Sequence, residues 1–382
     1  MASMRVVCSG EHLPEHFQKS IYLIGPSPRS VDVRSWRNGA LEIFEACGYD
    51  GVVYVPEPFV QGQREWELAA LNRTDCAMIW LPRDMAVLPG LTTNVEFGAL
   101  YRSGKVVLGA PEGTPHMGYL FSHADDEYIP KSYTLEETIS LALAMVGTGS
   151  DRKGGECEVP LHIWRTRHFQ EWYGALKAAG NRLDGAKLEW IFRVGQNKAF
   201  PLFFALHVNI WVVKEKRHKS NEVVISRPSI SSVVMYQRGT TLMDTKLVLV
   251  REFRSTCSTH DGYIRENAGG SSFNPKADPR EVAAKESLQE TGLDIEPERF
   301  RLHGVRQVAG TVTTHAAHVF SVEITDQEMA FVHHMANERM GVSSETEQTY
   351  REVRTLGDLF AEGDAGVDWS TLGMISQVVL TS

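Results

Sequence analysis

Ile21-Tyr22-Leu23-Ile24-Gly25-Pro26 is an unbroken apolar run that stops abruptly on Gly-Pro, and its reading organises everything around it. A run this short and continuous suits a strand buried on both faces, since a half-exposed strand alternates polar and apolar residues. The stretch 35–48 (SWRNGALEIFEACG) follows with helical spacing and closes on a glycine. Strand patterns at 52–55, 76–81 and 105–108 then alternate with helix patterns at 64–72, 94–102 and 134–146. Repeating β-α units of this kind predict an α/β fold, a doubly wound parallel sheet with helices on both faces.

The texture changes further on. The Gly/Ser/charge-rich stretch 147–156 (GTGSDRKGGE) has no apolar periodicity and reads as a linker. It divides the chain into an N-terminal domain, 1–146, and a C-terminal domain, 157–382. Its 382 residues give each half room for its own core. Beyond the linker, a helix at 169–179 precedes β-branched and aromatic runs at 188–192, 203–213, 222–226, 232–236 and 246–251. One strong helix, 279–291, stands within this β-rich half.

Composition narrows the function classes. A net charge of −9 argues against a protein that grips a phosphate backbone, so nucleic acid is not an expected partner. The one basic run, 214–219 (KEKRHK), lies between strand-like segments and reads as a solvated hairpin loop. No apolar stretch is long enough to span a membrane, and the first residues lack a secretory pattern. Five scattered cysteines without a CxxC pair fit a reducing, cytoplasmic setting and no zinc site.

Ligands of doubly wound sheets bind beyond the carboxyl ends of the strands. Tyr22 lies within the first strand, and Gly25, Pro26 and Arg29 follow it. Asp75 stands immediately before the strand at 76–81. The run Thr92-Thr93-Asn94-Val95-Glu96-Phe97-Gly98 opens a helix, with Glu96 expected in its first turn, where the helix N-terminus would keep it ionised. An ionised, positioned carboxylate is what attack on an anomeric carbon requires.

The stretches IYLIGP, REWELAALNRTDCAMIWLPR and TTNVEFGALYRSGKVVLGAPEG resemble the nucleoside 2-deoxyribosyltransferase superfamily over roughly residues 20–145. The resemblance implies a Rossmann-like fold and a covalent glycosyl-enzyme on Glu96. It further implies that Tyr22 holds the Glu96 carboxylate and that Asp75 meets the nucleobase. Gly25, Pro26 and Asn94 would line the sugar or phosphate pocket, with Arg29 on a 5′-phosphate; no cofactor is needed. Where better-known members carry an Asp six residues before the nucleophile, this chain has Gly90, with Asp84 the nearest substitute.

In the second half, Ala268-Gly269-Gly270 precedes a helix from Pro279 to Thr291 that starts on Asp278 and ends on Gly292. Glu286 and Glu290 are four apart, so both carboxylates share one side of it, a platform for Mg2+. This stretch resembles the Nudix box, which implies an α+β Nudix fold for the C-terminal domain. Lys285, Ser287 and Gln289 replace the box's Arg, apolar residue and first Glu of its E-E pair, and Ala277 replaces its upstream Glu. Gln289 keeps a carbonyl oxygen for the metal but no charge. The run LVLVREFR at 247–254, Glu266 before Ala-Gly-Gly, and SETEQTYREVRTLGDLF resemble the ADP-ribose pyrophosphatase branch, with Glu345 or Glu347 implied as a further acid or base.

The expectation is therefore an enzyme that cleaves or exchanges the N-glycosidic bond of a nucleoside or nucleotide, joined to a Nudix-like domain that binds a nucleoside diphosphate or regulates. The first alternative is Mg2+-dependent hydrolysis of an ADP-ribose-type nucleoside diphosphate-sugar at Glu286 and Glu290. The second is a non-catalytic nucleotide sensor. Both families imply a homo-oligomer.

Overall fold

Residues 3–28, 32–274, 276–336, 338–340, 348–361 and 366–381 are described by a computed structural model of the chain. It divides into two units, Met1–Ser226 and Arg227–Ser382. The first contains β1 (Arg5–Cys8), β2 (His16–Phe17), β3 (Ser20–Ile24), α1 (Trp36–Ala46), β4 (Val52–Val55), α2 (Gln63–Arg73), β5 (Cys76–Trp80), α3 (Leu91–Leu100), β6 (Val106–Gly109), α4 (Gly118–Asp126), β7 (Lys131–Ser132) and α5 (Leu135–Val146). It continues through β8 (Arg152–Lys153), α6 (Leu161–Trp164), α7 (Arg167–Ala178), β9 (Arg182–Val194), β10 (Phe200–Val212) and β11 (Arg217–Ser226).

Six of these strands form a parallel sheet in the order β1-β4-β3-β5-β6-β7. Both faces are buried, as the continuous apolar strands require. Tyr22, Ile24, Ala77 and Ile79 join Ala70 of α2, Phe97 of α3 and Leu120 of α4 in one cluster. Ile21, Leu23, Cys76 and Met78 point the other way, onto Phe44 of α1 and Ile139 of α5. Strand side chains alternate with period two, so each strand feeds two cores. Ser35 and Thr134 cap α1 and α5 by accepting backbone N–H groups.

The stretch expected as a linker is packed into this unit. β8 pairs with β2, and Arg152, itself buried, donates to the Val159 carbonyl and to the Asp75 carboxylate. Gly155 runs so close to β9 that a Cβ there would lie 2.3 Å from the Asp184 and Gly185 backbone. Its glycine is thus for close approach rather than freedom. Residues 157–226 belong to the first unit, where β9, β10 and β11 form an antiparallel sheet packed against α7 through Phe204, Leu206, Phe169 and Tyr173. The basic run includes the exposed turn of the β10–β11 hairpin.

The second unit holds β12 (Ile230–Gln237), β13 (Lys246–Phe253), β14 (Tyr263–Glu266), β15 (Ala268–Gly270), α8 (Pro279–Thr291), β16 (Arg301–Gln307), β17 (Ala316–Glu323), α9 (Asp326–His334), β18 (Arg339–Met340), β19 (Thr349–Thr355), α10 (Leu356–Ala361) and α11 (Trp369–Thr381). Its eight-stranded sheet runs β16-β17-β12-β13-β19-β18, with β14 on β13 and β15 on β12. It is mixed, because β12 and β17 are parallel while the other pairs are antiparallel. One face packs on α8 and α9 through Ala283, Met329 and Val332, the other on α10 and α11 through Leu359, Ile375 and Val378. The helix expected at 279–291 is thus joined by α9 and α11; Thr371, Ile375, Val378, Val379 and Thr381 give α11 a β-branched content that hid it. Among the described residues no helix is long and apolar enough to cross a membrane, and all five cysteines are unpaired.

Candidate functional site

The carboxyl end of β3 is drawn tightly into the first unit. A Cβ on Gly25 would lie 2.3 Å from the Trp80 carbonyl and 2.7 Å from the Trp36 ring, so only glycine lets β3 and β5 close here. Arg37, in the first turn of α1 and fully buried, clamps this end. It donates to the carbonyls of Leu23 (3.1 Å), Gly25 (2.7 Å) and Pro26 (3.4 Å), to Ser27 Oγ, and to the Glu57 carboxylate at 2.7 Å. Pro26 is buried, and its carbonyl also accepts from the Trp36 indole.

α2 and α3 lie on the same face of the sheet, and each carries one glutamate toward Tyr22. Glu67 from α2 and Glu96 from α3 are close enough to act electrostatically on the Tyr22 phenol, as does Arg37. Burial and then the charge of Glu67 push Glu96 from the usual 4.5 to about 7, with Arg37 opposing them. The Tyr22 hydroxyl is itself buried with no hydrogen-bond partner among the described residues. Burial, Glu67 and Glu96 all drive its pKa upward, so it stays a neutral donor. Its ring packs against Tyr54 and Trp66, with centroids 6.4 and 6.3 Å away. Glu67 accepts from Gln63 at 2.7 Å, one turn earlier on α2.

Two expectations change. Gly90 caps α3 in the left-handed conformation and the helix begins at Leu91, so Glu96 sits in the second turn, not the first. The helix N-terminus therefore does not hold it ionised; burial and Glu67 do the opposite. Asp75 lies at the amino end of β5, remote from the carboxyl ends where a ligand would sit. It is fully buried, accepts from the Ser20 N–H at 3.0 Å and pairs with Arg152 at 2.6 Å. Burial still raises its pKa despite Arg152. Its Oδ2 is held in this buried ion pair, while its Oδ1 has no hydrogen-bond partner among the described residues. Glu67, which the sequence reading did not single out, is the carboxylate that acts on Glu96; the signal in the sequence was its i,i+4 spacing from Gln63 on the face of α2 that carries Trp66 and Ala70 toward the sheet.

The remaining expected residues are scattered. Asn94 is half-buried, and its carbonyl oxygen accepts from Arg83, which also reaches the carbonyls of Pro115 and His116. Asp84 caps its own turn through the N–H groups of Ala86 and Val87. Arg29 lies outside the described residues, as do Glu345 and Glu347.

In the second unit α8 begins at Asp278, which caps the Arg280 N–H, and ends on Gly292 at φ 71°. Glu290 accepts from the Gly269 N–H at 2.9 Å. Glu286 approaches Gly270 so closely that a Cβ there would lie 2.5 Å from its carboxylate oxygen. Burial, and then Glu286, Glu252 and Glu266, push Glu290 up to about 8 against the Gly269 hydrogen bond. Glu266 is held by Arg254 at 2.9 Å, and Arg254 also meets Glu252 at 3.0 Å. Gln289 is half-buried beside Glu290. Among the described residues no group of three or more His, Cys, Asp or Glu converges on one point as a metal cage.

No protein-family model matches the chain, and no curated protein matches it.

Proposed function

We propose that the first unit is a nucleoside 2-deoxyribosyltransferase-like, Rossmann-like domain that cleaves or exchanges the N-glycosidic bond of a nucleoside or nucleotide. The observation that supports this reading is the pairing of Glu96 with Glu67 above Tyr22, beside Arg37. Two carboxylates flanking one bond are the requirement of a double-displacement glycosyl transfer. Glu96, ionised, attacks the anomeric carbon, and the bond to the base nitrogen breaks. The electron pair leaves with that nitrogen, which takes a proton from water. Water or a second base then attacks the glycosyl-enzyme, the Glu67 carboxylate takes its proton, and that proton returns to the hydroxide left by the first step. Tyr22, a neutral hydroxyl without a partner, donates to the attacking carboxylate or the sugar, and Arg37 limits the repulsion between the two carboxylates.

The test is a panel of nucleosides and 5′-monophosphates incubated with the protein in chelator, with free base resolved by mass spectrometry. Release that Glu96→Gln abolishes supports the reading; no base from any member of the panel sinks it.

A second reading concerns the other unit, a Nudix-like fold in which Glu286 and Glu290, with Glu266 and Gln289, would hold Mg2+. The observation in its favour is the upward push on Glu290 from three neighbouring carboxylates, which a divalent cation would relieve. Bound there, the metal would supply charge to neutralise a nucleoside diphosphate. Metal-dependent release of a monophosphate from ADP-ribose, lost in Glu286→Gln, is the corresponding test. Binding without turnover would instead leave this unit as a nucleotide sensor.

A further inference from the structure

A cavity of about 210 Å3 opens at the amino end of β6, wholly within the first unit, and Glu96 is not among the residues that line it. Tyr101, Tyr128, His162, Arg193 and Lys198 line it together with Gly104. Aromatic and aliphatic side chains share its walls with the polar groups of His162, Arg193, Asn197 and Lys198, the general make-up of a small-molecule site.

The polar groups are distinct in kind. His162 Nε2 is buried and has no hydrogen-bond partner among the described residues. The ring hydrogen-bonds the Ser103 backbone, which leaves Nε2 facing Gly104. Burial, and then the charges of Lys105, Arg193 and Arg165, push this imidazole down to about 3, so it is neutral and Nε2 offers a lone pair. A buried acceptor left unpaired carries the cost of its lost hydration, which a donor from a ligand would recover. Gly104, at φ +79°, keeps the space open, because a Cβ there would lie 3.1 Å from that nitrogen.

Opposite this acceptor stand donors. Arg193 reaches the Glu127 carboxylate at 3.3 Å through one guanidinium nitrogen, and a guanidinium carries five N–H donors in all. Lys198 meets Glu127 at 3.1 Å and the Asp126 carbonyl at 3.0 Å. Three residues of the wall, Tyr128, Asn197 and Lys198, hold left-handed backbone at φ 53°, 54° and 50°. Non-glycine residues adopt that conformation at a cost, and such positions gather at ligand sites.

We infer that this cavity binds a planar lactam heterocycle of single-base size, whose ring N–H donates to His162 Nε2 and whose adjacent carbonyl accepts from Arg193 or Lys198, between the Tyr101 and Tyr128 rings. An oxo-nucleobase has that donor-beside-acceptor edge on a flat ring; a simple carboxylate has no donor, and a phosphate has no ring to lie against the tyrosines. The site is separate from the Glu96 cluster, so its occupancy does not depend on the glycosidic reading.

The experiment is calorimetric titration of the full chain with uracil and hypoxanthine, with 1,3-dimethyluracil and inorganic phosphate as controls. The expected result is one saturable site per chain for a lactam, at least about ten-fold weaker for the dimethyl analogue, which keeps the ring and carbonyls but has no N–H. Glu96→Gln should bind unchanged, Lys198→Ala several-fold more weakly, and the His162 Nε2 resonance should move upfield as uracil is added. The inference is overturned if neither lactam saturates, if the dimethyl analogue binds equally well, if phosphate competes, or if Glu96→Gln abolishes binding.

Discussion

Arg152 donates to Asp75 over 2.6 Å inside the first unit, and neither side chain has any solvent exposure. Such a pair gives little net stability when intact, but breaking it strands a charge without water. Asp75→Ala should therefore destabilise the first unit by about 3–5 kcal/mol in urea titrations. Asp75→Ala combined with Arg152→Met should recover part of that loss. A stable Asp75→Ala protein that only loses activity would return Asp75 to the catalytic machinery.

The same pair bears on where the chain can be cut. A fragment ending near residue 150 lacks Arg152, β8 and Val159, and leaves Asp75 buried without its guanidinium partner. A fragment ending at Ser226 keeps them all. The longer fragment should show a single cooperative melt and dispersed amide resonances, and the shorter should aggregate or melt broadly. Equal behaviour of the two would restore 147–156 as a boundary.

Much of the parallel sheet was legible because buried parallel strands are apolar at every position, as in Ile21-Tyr22-Leu23-Ile24. The boundary was not, since a Gly- and charge-rich stretch reads as solvent-exposed unless the partner of each charge is known. Arg152 finds its partner 77 positions earlier. The helix that carries Glu96 was legible from its context, but the state of the carboxylate was not. The start of α3 on a left-handed Gly90 moves Glu96 out of the first turn, and the neighbour that sets its pKa comes from a different helix. Glu67 was hidden for that reason: only the packing of α2 and α3 on one face brings the two glutamates together.

Glu96 links activity and stability to pH with opposite signs. Its folded pKa of about 7 lies above the usual 4.5, so the stabilisation is fully present below about 4.5 and is lost as pH rises through about 7. At pH 8 the ionised, partly buried carboxylate should cost up to about 3 kcal/mol relative to its neutral form. Glu96→Gln should melt higher than the parent at pH 8 and the same at pH 4. As a nucleophile Glu96 must be ionised, so kcat/KM should rise through about pH 7. A fall over that range would make Glu96 the proton donor instead.

In the second unit Arg254 already neutralises Glu266 and Glu252, so it competes with any cation for those oxygens. Arg254→Ala should tighten Mg2+ binding by about ten-fold in calorimetry, as removal of a competing charge of this kind allows. Binding should release protons, seen as a dependence of the heat on buffer, because Glu290 starts near 8. Unchanged or weaker Mg2+ binding in Arg254→Ala would remove these carboxylates from the metal site.

The measurement that bears most directly on the glycosidic reading is the intact mass of the protein after acid quench from the nucleoside and 5′-monophosphate panel. The parent chain should gain the mass of one sugar or sugar phosphate, on a peptide that contains Glu96. Glu67→Gln should form base on the order of 10²–10⁴ times more slowly, while Glu96→Gln gains no mass at all. Free base formed at the parent rate by Glu96→Gln, or a sugar carried on any other residue, would contradict the account.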